Sequence, residues 1–259
     1  TEEKTEDVEK PASEEADPDE ETVVVPPVTT PEVTENPVAG NSAVDTQALT
    51  GGDKTDDGIN TEEELRAALV EGADVTLTGD IQLTSMLSIT ANNVTLNLGE
   101  HTITAADNFR STYENDKHLV DITGDNVIIE DGILATTTAN KHVVNAYGAK
   151  NFVLQDVTLD HTSAEKGAPL VINGGASADD SASVTLAGKV TFVTGEKSWD
   201  YSVNMEKKDG SAVSLTMADN ADVTFGNKTT GIYVQGAAAS LTYGNDVKVS
   251  GGCKNPLVM

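Results

Sequence analysis

Cysteine, arginine, tryptophan and positive charge are all scarce in this chain. The one cysteine, Cys253, excludes an internal disulfide. There are two arginines, Arg66 and Arg110. A net charge of −27 over 259 residues opposes nucleic acid and anionic membranes as partners. It equally opposes unaided binding of a polyanion such as pectin. No run of about 20 apolar residues exists, so no membrane-inserting helix is expected in this chain. No signal peptide is legible, and the start at Thr1 reads as that of a mature or trimmed secreted product. Aromatics are 4% of the residues, so any ring-lined surface has to be local.

Proline is also missing from most of the chain. Pro11, Pro18, Pro26, Pro27, Pro31 and Pro37, six of the eight, precede Gly40. Glu, Asp, Thr and Val fill the gaps, and Val23-Val24-Val25 is the only apolar run there. Such a segment buries too little apolar surface to offset its ordering entropy. Residues 1–58 are therefore expected to be a disordered acidic stalk, stiffened locally by proline.

The remainder is organised by recurrence. Asn93-Val94-Thr95-Leu96, Asn126-Val127-Ile128-Ile129 and Asn151-Phe152-Val153-Leu154 repeat one short β-rich phrase. Ser183-Val184-Thr185-Leu186, Ala212-Val213-Ser214-Leu215 and Ser240-Leu241-Thr242-Tyr243 echo it. A period of roughly 20–50 residues marks stacked supersecondary units. Period-two alternation, as in Val75/Leu77, Ile81/Leu83 and Val94/Leu96/Leu98, makes those units strands. Polar turns of variable length connect them. The expected fold is all-β: a right-handed parallel β-helix over 59–259. Six or seven coils at about 4.8 Å would make a rod roughly 30 Å long.

Ahead of the coils, Thr61-Glu62-Glu63-Glu64 reads as a capping box. Leu65, Ala68 and Leu69 form one apolar stripe and Gly72 ends it. The spacing predicts a helix over 61–71 lying across the first coil and covering its open edge. Arg66 is expected on the solvated face of that helix.

Thr61 to Leu83 resembles the entry into the pectate-lyase-like β-helices of bacterial surface proteins. Val94-Thr-Leu-Asn-Leu-Gly-Glu-His-Thr-Ile-Thr104 resembles the coil that follows. The resemblance spans about residues 60–252 and implies the fold more than an activity, since that superfamily holds lyases, hydrolases and adhesive domains. Its lyases use Ca²⁺ on Asp clusters with an Arg or Lys base. Here neither Arg66 nor Arg110 falls on a coil strand where that base would sit. The separated Asp motifs, Gly-His-Gly and Arg-x-Lys of the galacturonases are absent.

Asp131 and Asp156 follow the same strand position and are expected about 5 Å apart on adjacent coils. That spacing suits a retaining carboxyl pair or Ca²⁺, but aspartates that end strands and start turns are the favoured reading. His101, His118, His142 and His161 lack metal-ligand spacing and are read as structural. Asp179-Asp180 reads as a solvated loop. Asn93, Asn126 and Asn151 are expected to stack as a structural amide ladder. Two segments, 105–117 and 194–209, are read as long loops, where function concentrates. Phe192 and Phe225 fall at core positions, leaving Trp199, Tyr201 and Tyr233 as the candidate ligand platform.

These readings point to a non-catalytic, extracellular or cell-surface bacterial protein that adheres to a glycan or to a host or cell-surface protein. No cofactor is expected, with Ca²⁺ the one ion the reading allows. The alternatives are a carbohydrate-active enzyme, lyase or glycoside hydrolase, and a structural segment of a longer repeat protein. Truncation of residues 1–58 is expected to leave the thermal transition within a few degrees of the full chain, because the stalk has no core to contribute. A larger drop in a calorimetric scan would show that the stalk packs on the coils.

Overall fold

The computed structural model describes residues 58–110, 117–177, 179–206, 211–235 and 239–258, all within the unit Gly51–Met259. The expected stalk, up to residue 57, lies outside the described residues.

The capping box forms as the sequence dictates. Thr61 Oγ1 accepts the Glu64 N–H at 3.3 Å, and the Glu64 carboxylate accepts the Thr61 N–H at 3.2 Å. The helix runs Glu62–Ala68, three residues shorter at its end than the expected 71, and Leu69 caps it. Seven residues do not hold a helix alone. Two anchors do. Leu65 is fully buried in the core. Arg66, expected in solvent, instead donates to the carbonyls of Ser85 (2.6 Å) and Met86 (3.2 Å) and to the Glu62 carboxylate (2.7 Å). Glu62 in turn accepts the Thr84 N–H at 2.8 Å. Burial works against the Glu62 charge, but the Thr84 and Arg66 hydrogen bonds win and leave its pKa below the usual carboxylate value. A guanidinium is chosen here because it bridges three acceptors in one plane.

A little over half of the described chain is strand, and every strand pairing is parallel. The strands fall into two hydrogen-bonded sheets, of twelve and seven strands. They recur in threes along the chain. A first face holds Asp74–Thr76, Thr95–Asn97, Ala182–Ala187, Val213–Met217 and Ala239–Tyr243. A second holds Ile81–Ser85, Thr102–Arg110, Lys189–Thr194, Asp222–Phe225 and Lys248–Gly251. Ile128–Ala135 and Phe152–His161 each run through both. A third face holds Leu87–Ile89, His118–Ile122, His142–Tyr147, Leu170–Asn173, Tyr201–Glu206, Thr230–Gln235 and Asn255–Val258. This architecture is all-β and compatible with a parallel β-helix or solenoid.

Register converts alternation into columns. Val75, Leu96, Ile129, Leu154, Leu186 and Met217 stand in one line across six strands. Ile81, Ile103, Leu134, Leu159 and Phe192 form a second. Leu87, Val120, Val144, Leu170, Val203 and Ile232 form the third. All are buried in one core cluster. Phe192 stacks on Phe225 with ring centroids 5.6 Å apart, at the inward positions the pattern assigns them. The last strand of each face is the exception, with Tyr243 51% and Val249 44% exposed.

Corners are made by single residues with positive φ. Asn93, Asn126 and Asn151 share φ 57°, a conformation asparagine tolerates better than most residues. Their side chains stack along the coils: Asn151 Nδ2 donates to Asn126 Oδ1 at 2.9 Å, and Asn126 Nδ2 to Asn93 Oδ1 at 3.0 Å. Glu71 ends the series by accepting from Asn93 Nδ2 at 3.0 Å. At the other end Ser183 Oγ accepts the Asn151 N–H at 2.7 Å. The three asparagines are exposed rather than buried, so their amides contribute less than interior ones would.

A second corner aligns Asp131 (φ 57°), Asp156 (φ 51°) and Gly188 (φ 57°). Asp156 Oδ1 accepts the Lys189 N–H at 2.8 Å. A side chain at Gly188 would collide with that carboxylate, so glycine is required there for space as well as for φ.

Asn126→Ala is expected to cost about 1–2 kcal/mol in urea denaturation, mainly from the left-handed backbone. Asn126→Gly, which loses the same amide, should cost less. A glycine variant weaker than the alanine variant would show that the left-handed backbone does not set the cost at this corner.

Candidate ligand-binding face

The third face carries the polar chemistry. Between its apolar columns, alternate positions line up as Ser88, Asp121, Asn145, Val171, Asn204 and Tyr233. Two residues on, Tyr147, Asn173, Glu206 and Gln235 form a second row. Asn145 Nδ2 donates to Asp121 Oδ1 at 2.7 Å. Asn204 Nδ2 donates to Glu206 Oε1 at 2.6 Å, and Gln235 Nε2 to Asn204 Oδ1 at 3.0 Å. Asn145 Oδ1 and Asn173 Oδ1 are buried without a hydrogen-bond donor. Burial pushes the Asp121 pKa up, and the Asn145 hydrogen bond only partly counters it. This row is costly to fold, because buried acceptors without donors lose hydration for nothing.

Beside it runs a line of rings. His118 and His142 lie 5.1 Å apart, and His142 meets Trp199 edge-on at 5.0 Å. Trp199 lies 5.5 Å from Tyr201, which stacks on Tyr233 at 5.0 Å and 15°. Lys141 Nζ sits 5.3 Å from the Trp199 ring. The three candidate platform residues are therefore brought together. Trp199 is flanked by His142, Tyr201 and Lys141, and Tyr201 by Trp199 and Tyr233, whereas Tyr233 has Tyr201 as its one ring contact among the described residues. Burial, with the Glu206 charge and Tyr233 adding to it, pushes the Tyr201 pKa up to about 12.

Two loop assignments change. Tyr201 opens the strand Tyr201–Glu206 rather than sitting in a loop over 194–209. The expected loop 105–117 begins as strand, since Thr102–Arg110 continues the second face; residues 111–116 lie outside the described residues. Arg110, expected off the coil strands, instead ends that strand in register with Ser85.

Asp131 and Asp156 do occupy equivalent positions on neighbouring strands, and both line an open groove of about 590 Å³ with Asn97, Gly99 and Glu100. Their carboxylates are engaged, Asp131 Oδ2 by Asn97 Nδ2 at 2.9 Å and Asp156 by Lys189 N. Among the described residues no three His, Cys, Asp or Glu side chains are grouped to hold a metal ion. Asp121 and Glu206 are three strands apart, about 14 Å, beyond the roughly 6.5–9.5 Å of an inverting pair.

Sequence reading missed Asp121, Asn145, Asn173 and Asn204. The signal was a lone polar residue inside an apolar run: Leu119-Val120-Asp121-Ile122, Val143-Val144-Asn145-Ala146, Ile172-Asn173, Val203-Asn204-Met205. Comparison with protein-family models, with curated proteins and with solved structures gives no match.

Asp121→Asn is expected to raise stability at pH 7 by on the order of 1 kcal/mol while keeping an acceptor for Asn145. With its folded pKa raised above 3.8, Asp121 carries no charge penalty below that value and a growing one as pH rises through the folded pKa. The gain should vanish near pH 3. A gain of equal size at pH 3 and pH 7 would rule out buried charge as its cause.

Proposed function

We propose that residues 59–259 are a right-handed parallel β-helix of the pectate-lyase-like, adhesive kind, borne on the acidic stalk 1–58 at a bacterial surface. It binds a glycan, or a glycan-bearing cell-surface partner, along its third face without turning it over. The observation that carries this reading is the ring line of Trp199, Tyr201 and Tyr233 running beside a row of amides and carboxyls. Sugars are held by just such a pairing of apolar ring faces with hydrogen-bonding groups. Asp121 supports the reading from another side, since a carboxyl kept where it costs stability is commonly kept for function.

Within the line, Tyr233 is the half-buried end ring, with Val258 in register on the next strand, and Tyr201 and Trp199 brace it. The acidic surface favours neutral or cationic glycans, with Ca²⁺ needed for an anionic one. A second reading, a carbohydrate-active enzyme, draws on the neighbouring Asp131 and Asp156. Their hydrogen bonds to Asn97 and Lys189 serve the corner, which is why this reading stands second.

A glycan array probed with the full chain, with and without Ca²⁺, tests both. Binding without turnover is expected, with Tyr233→Ala weakening it about three- to tenfold and Arg110→Ala leaving it intact. Release of ultraviolet-absorbing unsaturated uronides, abolished by Arg110→Ala, would install the enzyme. Silence on every glycan would end the binding reading.

A further inference from the structure

The turns 162–169 and 194–200 close over a group of imidazoles. His118 and His142 face each other in register, 5.1 Å apart. His142 Nδ1 lies 3.1 Å from the Ala168 N and 3.3 Å from the Ala168 carbonyl O, and its ring abuts Trp199. His161 is fully buried and joins three turns. Its Nε2 donates to the Lys141 carbonyl at 2.7 Å, and its Nδ1 lies 2.7 Å from Ser198 Oγ. Ser198 Oγ also accepts the Gly195 N–H at 2.9 Å, and the Trp199 N–H donates to Gly167 O at 2.6 Å. The turn bearing Trp199 is thus fastened to the preceding coil through two neutral imidazoles.

We propose that this cluster is a proton-operated latch: acid charges His142 and His161 and frees the 194–200 turn, Trp199 with it, while the strands stay paired. The neighbouring charges set the response. His118, Lys141 and His161 all oppose a proton on His142. Asp160 favours one on His161 and Lys228 opposes it. At the solvent side, Lys197 pairs with Glu165 at 2.7 Å across the same two turns, and Lys228 Nζ donates to Glu196 O at 2.8 Å. A proton on His142 is opposed in place by burial, the neighbouring imidazoles and the Lys141 ammonium, so proton uptake and opening are one event. Burial foremost holds the pKa of His142 well below 6.5 and that of His161 below it too. The latch is therefore fully stable above the ordinary imidazole value and is lost as pH falls below it. Trp199 braces the ring line, so acid also weakens ligand binding; that clause rests on the proposed function.

Trp199 is the one tryptophan of the chain, so its emission reports the latch directly. The full chain is titrated from about pH 8 to 4.5, with far-ultraviolet circular dichroism followed alongside. A red shift is expected with its midpoint below the free imidazole value and the dichroism unchanged through it. Ser198→Ala, which removes the hydroxyl facing His161, should move the midpoint up by about 0.5–1 pH unit. The His142→Gln, His161→Gln double variant should abolish the shift if it folds. Flat emission, a shift that coincides with loss of dichroism, or an unmoved Ser198→Ala midpoint would each overturn the latch. Glycan silence at pH 8 with the titration intact would remove the binding reading alone; glycan binding with flat emission would remove the latch alone.

Discussion

The described part of this protein depends on single residues that turn the chain through positive φ at fixed places. Asn93, Asn126 and Asn151 at one corner, and Asp131, Asp156 and Gly188 at another, set where each strand begins. A slip of one residue at either corner would send every following side chain to the opposite side of its sheet. The columns of Leu, Ile, Val and Phe exist because those corners hold. The amide series and the Asp156 hydrogen bond are thus register devices first. Their contribution to stability is secondary, as their exposure indicates.

Register explains what was legible in the sequence. Val-x-Leu alternation with a leading Asn names both the column and the corner, so strands, parallel pairing and the inward Phe192 and Phe225 could all be read. The capping box was legible because it is local, with every partner within four residues. Arg66 was not, because its acceptors lie some twenty residues away on Ser85 and Met86, and nothing near it in the chain announces them. Tyr201 looked like loop because Trp199 and Asp200 precede it without alternation. The ladder pairing of Tyr201–Glu206 with Leu170–Asn173 and Thr230–Gln235 makes it strand.

The polar row on the third face was hidden for a related reason. Asp121, Asn145, Asn173 and Asn204 each sit alone among apolar neighbours, and a lone polar residue in a strand has many local explanations. Only the stacking of strands shows that four of them share one face. Once stacked, they form the least economical part of the structure, with a carboxyl biased toward its neutral form and two amide oxygens without donors. The first face has a polar row of its own, Asn97, Glu130 and Gln155, but it is half-buried, and the Glu130 carboxylate accepts from the amides of both neighbours. The two sides of the coil therefore divide their labour: one maintains the repeat, and the other departs from what folding alone would select.

The repeated corner has a consequence for how such a chain can change over generations. Neighbouring repeats meet through the same interlocking of columns, and from Asn93 to Ser183 through the same side-chain step. Whole coils are interchangeable parts, and duplication or loss of one, cut from Asn126 to Asn151 for example, rejoins matching ends. The segments between faces vary freely in length without disturbing that joint. Novelty can accordingly accumulate in the turns bordering the third face, with the 194–200 segment the clearest instance, while the scaffold beneath stays the same.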